Sequence, residues 1–90
     1  MSILTRFFGT KYNDAQLMAQ GLSALEEDPL LPNGATLIVS SEQGVVKISG
    51  TVHKNSERDR AEGVVRSAIR NVGLKFDRIE NDVRVEEALV

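Results

Sequence analysis

Hydrophobic spacing switches between two periods along the chain. Between Asp14 and Glu27, the residues Ala15, Met18, Leu22 and Leu25 recur at offsets that share one face of an α-helix. Asn13, three residues before Gln16, gives this helix a capping-box-like start. Gly21 in its middle costs about 1 kcal/mol relative to alanine. Pro29 disfavours helical geometry at Asp28, and Pro32-Asn33-Gly34 supplies a turn.

The period then shortens to 2. Leu37, Val39 and Ser41 alternate with Thr36, Ile38 and Ser40, and Glu42-Gln43-Gly44 makes a turn. Beyond it, Val46, Ile48, Gly50 and Val52 alternate with Val45, Lys47, Ser49 and Thr51. Two β-branched runs joined by a short glycine-containing loop predict an antiparallel hairpin.

Ser56 opens a second helix, with Glu57 and Asp59 in the first turn, where the helix dipole favours negative charge. Ala61, Val64, Val65, Ala68, Ile69 and Val72 follow helical spacing, and Gly73 stands where a left-handed C-terminal cap is expected. A last strand is predicted over Arg78–Glu86. Ile79, Val83 and Val85 lie on one face of it, and Glu80, Asp82, Arg84 and Glu86 on the other.

The order helix, strand, strand, helix, strand lets both helices cover one face of a three-stranded sheet, an α+β fold. If the second and last strands are neighbours, the right-handed crossover rule makes them parallel. Residues 13–87 then form a single domain, preceded by an N-terminal extension over residues 1–12.

The segment Gly44–Val52, GVVKISGTV, followed by HKNSERDRAEGVV, resembles the core of the BON domain family. The leading helix ending in Asp28-Pro29-Leu30 is similar to the family's opening, and Ile79-x-Asn81-x-Val83-x-Val85 to its closing strand. The resemblance spans roughly Asp14–Val85. It implies a mixed sheet and a small module of bacterial osmotic-stress and envelope proteins that associates with phospholipid or membrane surfaces. Two features depart from the pattern. The stretch from Gly73 to Asn81 is about two residues longer, through Leu74-Lys75-Phe76, which calls for a bulge or a longer helix. The family is also mostly exported and often in tandem, whereas this sequence shows neither a leader nor a second copy.

Composition narrows the function classes. Apolar residues are 41% and charged residues 27% of the 90, as in an ordinary soluble globular domain. A chain this short buries only about 60–70% of its unfolded surface, so its core is small. With no cysteine there is no disulfide, thiolate metal site or thiol nucleophile. A net charge of −2 and a pI of 5.3 argue against nucleic acid as partner. The KH fold has a similar mix of elements, but its Gly-x-x-Gly loop is missing. Neither a span of about 20 apolar residues nor a secretory signal occurs, which predicts a cytoplasmic protein, peripheral to the membrane where it meets one.

Candidate chemistry is sparse. Neither a Walker pattern nor GxGxxG is present, and no catalytic residue, cofactor or metal site is expected. His53 is the only histidine, in the loop before the second helix, and reads as an exposed polar residue. Glu26-Glu27-Asp28 and Glu80/Asp82/Glu86 read as solvated faces without calcium-loop spacing. Some members of the family are linked to potassium, but no ring of oxygen ligands is apparent.

Five positions are expected to serve structure. Gly50 marks the place where a helix sits on the sheet, with Gly21 and Gly63 as close approaches between the helices. Gly73 caps the second helix. Asn81, interrupting an apolar face, must satisfy backbone groups nearby.

Two features point to a lipid surface. Ile3, Leu4, Phe7 and Phe8 share a helical face flanked by Arg6 and Lys11, which suits an interfacial anchor as well as a strand, a core cap or an oligomer contact. Arg58, Glu62, Arg66 and Arg70 recur at i+4 on the second helix, with Arg60 nearby. The Arg66–Arg70 pair is mildly repulsive, and a phosphate-bearing partner would relieve it; the other reading of the row is a charged helix face that is simply solvated. The alternative is a protein-interaction or scaffolding domain that uses its sheet face or edge, with another protein or a second copy as partner.

Overall fold

A computed structural model describes residues 11–31 and 36–86. The Pro32-Asn33-Gly34 turn, and the segment with Ile3, Leu4, Arg6, Phe7 and Phe8, lie outside the described residues.

Helix α1 spans Asp14–Glu27. It starts where the Asn13 side chain accepts the Gln16 N–H at 3.2 Å, and it ends at Asp28, whose backbone is extended ahead of Pro29. Its inward face is Leu17, Gly21 and Leu25, which corrects the face read from the spacing. Of the four residues expected on that face only Leu25 is buried, while Met18 and Leu22 remain 40% and 37% exposed and Ala15 is exposed. The reason is Gly21. A Cβ there would stand 3.1 Å from Val39 Cγ1 and 3.4 Å from Val65 Cγ1, so the bare backbone rests on both the sheet and the other helix. A helix centred on that glycine turns Met18 and Leu22 to its flank.

Strands β1, Ile38–Glu42, and β2, Val45–Val52, form the hairpin in the register Glu42↔Val45 to Ile38↔Ser49. Its two-residue loop, Gln43-Gly44, has φ of 50° and 83°, the paired positive values that match the twist of a tight hairpin. Helix α2 spans Asn55–Asn71 and starts one residue earlier than Ser56 suggests. Its first turn is held by Glu57, whose carboxylate accepts the N–H groups of His53 and Lys54 at 3.0 and 3.1 Å. At its other end Gly73, at φ 74°, donates to the Arg70 carbonyl while Leu74 donates to that of Ile69, a Schellman ending. The helix is therefore not lengthened. The extra residues form the link to β3, and Leu74 and Phe76 pack half-buried against the core.

Strand β3, Arg78–Val85, pairs parallel with β2, and the sheet is mixed in the order β1-β2-β3. Both helices cover one face. Leu17, Leu25, Val46, Ile48, Val52, Val65 and Ile69 are fully buried between the layers, each aliphatic side chain stabilising the fold by about 1.5–3 kcal/mol. Gly50, at φ 129°, meets Leu37 rather than a helix: a Cβ there would lie 2.7 Å from Leu37 Cδ2. Gly63 has nothing within 4 Å of an added Cβ and is not a close approach.

Candidate functional site

The arginine row occupies one flank of α2. Glu62, Arg66 and Arg70 follow Arg58 at successive turns, on the side of the helix that leans towards β3. Asn81 of β3 fixes that lean. Its Nδ2 donates to the Arg58 carbonyl at 2.8 Å and to Glu62 Oε1 at 3.4 Å, while its Oδ1 accepts the Val83 N–H at 3.2 Å. The amide thus joins helix to strand with both of its polar atoms used, as a half-buried amide requires.

The other oxygen of Glu62 accepts from Arg66 Nη2 at 3.0 Å, with both side chains about one-third exposed. Among the described residues the Arg58 side chain reaches only its neighbour Asp59, at 3.9 Å. Arg70 forms no ion pair among the described residues and sits in the last turn, where the helix dipole favours a cation. Arg60 leaves this row. It crosses to α1 and grips Asp28, Nη2 to Oδ2 at 3.0 Å and Nε to both oxygens at 3.1 Å. The structure therefore gathers Arg58, Arg66 and Arg70 on one flank and separates Arg60 from them, and Phe7 and Phe8 lie outside the described residues.

Two carboxylates carry more than their sequence positions suggested. Asp28, expected on a solvated face, has a side chain only 6% exposed. The Arg60 guanidinium, with the Leu30 N–H at 2.8 Å, holds its pKa below the usual carboxylate value, against a smaller opposing effect of burial. Asp14 in the first turn of α1 accepts the Ser41 hydroxyl at 2.7 Å and the N–H groups of Gln43 and Gly44 at 2.9 and 3.0 Å. The Ser41 bond, then that of Gly44, lowers its pKa as well. No local pattern in the sequence marks a bond formed across 27 residues or more.

The remaining candidates stay peripheral. His53 is exposed, its Nδ1 3.2 Å from the Glu86 carbonyl. On the open face of the sheet, Lys47 pairs with Asp82 at 3.7 Å and Arg78 with Glu80 at 3.0 Å, exposed pairs that contribute about 0–1 kcal/mol each. Among the described residues no group of three or more His, Asp or Glu side chains is arranged to hold a metal. Two concave surfaces among the described residues are open, one on the sheet around Ser40, Lys47 and Glu80 and one along α2 around Gly63 and Ser67.

No curated protein matches the chain. The family model of the BON domain matches residues 13–87, most of the chain, and takes in both helices and the whole sheet. This protein belongs to the BON domain family.

Proposed function

We propose that this protein is a non-enzymatic binding module for anionic phospholipid surfaces, and that the Arg58, Arg66 and Arg70 flank of α2 meets the headgroups. Membership of the BON family suggests a membrane- or phospholipid-binding module in general. The observation that carries the specific reading is the arginine flank itself. Three guanidinium groups share one side of a helix, with the carboxylates of Asp59 and Glu62 engaging two of them and Arg70 unpaired among the described residues. Guanidinium groups bind phosphate in a planar, two-point geometry. The two open concavities among the described residues are compatible with a surface contact.

Phe7 and Phe8 supply the apolar share of the contact in this reading, inserted at the interface beside the cations Arg6 and Lys11. No helix among the described residues is long and apolar enough to cross a membrane, and the proposed association is peripheral.

Vesicle co-sedimentation tests the proposal. The wild type should pellet with vesicles rich in phosphatidylglycerol and stay in solution with phosphatidylcholine. Replacing Arg58, Arg66 and Arg70 together with glutamine should abolish pelleting while leaving the circular dichroism unchanged. Equal pelleting of this variant would sink the assignment to α2.

A further inference from the structure

The edge of β1 is open in a way the edge of β3 is not. β3 carries Arg78, Glu80, Asp82 and Arg84 along its length, the charged protection that discourages edge pairing. β1 has one charge, Glu42, at its end, and Ile38 stands 62% exposed on it. The Glu42–Val45 pair closes a two-residue hairpin and so bonds inward. The N–H and C=O groups of Val39 and Ser41 therefore point outward, and no strand pairs there among the described residues.

The helix above this edge is built wider than the sheet below it. With the helices towards the viewer and β2 and β3 running up, β3 lies on the right and β1 on the left. The Asn81 bonds to the flank of α2 with Arg58 and Glu62 fix that hand. α1 lies over β1, since Gly21 rests on Val39. It runs upward, from the hairpin turn at Asp14 to the Arg60 contact at Asp28. In a right-handed helix so placed, with Leu17, Gly21 and Leu25 facing the sheet, Met18 and Leu22 point left, beyond β1. Their exposed apolar surface overhangs a position where a further strand would lie.

Tyr12, just ahead of α1, packs at Gly44 beside the hairpin turn. A strand that led into α1 from that point and lay along β1 would be parallel to it, with a left-handed crossover through α1, which parallel strands almost never adopt.

We propose that the β1 edge pairs antiparallel with the β1 edge of a second copy of this chain, giving a continuous six-stranded sheet with Met18 and Leu22 of both copies closing over the seam. A two-fold centred on Ser40, the midpoint of β1, uses the whole strand. Ile38 then faces Glu42 of the partner subunit, so no like charges oppose. Val39 and Ser41 exchange backbone bonds, and the two Ser40 residues meet at a non-bonded site with Cα atoms about 4.5 Å apart. Such an isologous contact closes on itself and does not propagate. It leaves the arginine flank of α2 on the far side, so it stands or falls separately from lipid binding.

Sedimentation over a concentration series and oxidative cross-linking test it. The wild-type mass should rise to twice the monomer's, and Met18→Lys with Leu22→Lys should remove that rise without changing the circular dichroism. Ser40→Cys should form a disulfide-linked dimer on mild oxidation while Arg84→Cys, on the β3 edge, does not. This comparison stands even if the lysine variant fails to fold. A wild type that stays monomeric throughout, or cysteines that cross-link alike at both edges, would overturn the proposal.

Discussion

Asp14 Oδ1 accepts the Gly44 N–H at 3.0 Å and so ties the first turn of α1 to the tip of a hairpin 30 residues away. Gly44 is held on three sides. Its carbonyl accepts the N–H groups of Asp77 and Arg78 at the entry to β3, and the Tyr12 ring lies where a side chain would begin. One end of the molecule, the start of α1, the hairpin tip and the start of β3, is thus organised around a single residue.

Asp14→Ala removes three acceptor contacts and leaves the N–H groups of Gln43 and Gly44 to find water. It should destabilise the protein by about 1–3 kcal/mol, read by urea unfolding at neutral pH. A loss smaller than a few tenths would show that water replaces the latch.

The same geometry sets a pH dependence. Asp14 and Asp28 both have folded pKa values lowered, the first by the Ser41 hydroxyl and the second by Arg60. A carboxylate depressed in the folded state stabilises it above its unfolded pKa of about 3.9, and that contribution fades as pH falls through the lower folded value. Stability should therefore decline below about pH 4. A variant with both aspartates changed to asparagine should show a flatter decline there. An identical slope in the two proteins would contradict this account.

The helical glycines should respond in opposite ways. Gly63→Ala enters open space in the interior of α2 and should stabilise the protein by about 0.5–1 kcal/mol. Gly21→Ala gains the same helical preference but drives a Cβ to 3.1 Å from Val39 Cγ1, so it should gain nothing or lose stability. Thermal unfolding of the pair decides it, and a gain in both would mean that α1 does not rest on β1 as closely as described.

Gly50→Ala combines a φ of 129° with a clash at Leu37 Cδ2, 2.7 Å away. It should cost about 1–3 kcal/mol from the backbone conformation alone. Combining it with Leu37→Ala relieves only the clash, so the double variant should lose less than the sum of the singles. Strict additivity would contradict a contact between them.

Local rules carried much of the fold. The hairpin, the Gly73 ending of α2 and the element order follow from period, turn residues and caps, which act within a few positions. The inward face of α1 was not legible for a physical reason. Gly21 contributes nothing to a hydrophobic pattern, yet its lack of a side chain decides which way the helix faces. The start of α2 likewise followed Glu57, reaching back to two N–H groups, rather than the hydroxyl of Ser56. The candidate site was legible in part. The i+4 spacing placed Arg58, Arg66 and Arg70 on one flank, but nothing local showed that Arg60 would cross to Asp28 or that Glu62 would be shared between Arg66 and Asn81. Such partners are set by tertiary packing.

The central claim, that the arginine flank of α2 meets anionic lipid, is tested most directly by an amide-resolved NMR titration with anionic and zwitterionic vesicles at low and high salt. Signals around Arg58, Arg66 and Arg70, with those of Phe7 and Phe8, should broaden with anionic vesicles alone and recover in high salt, as screening of charge requires. If no resonance responds to either vesicle, or if the responding residues lie on the open face of the sheet around Lys47 and Glu80 instead, the claim is contradicted.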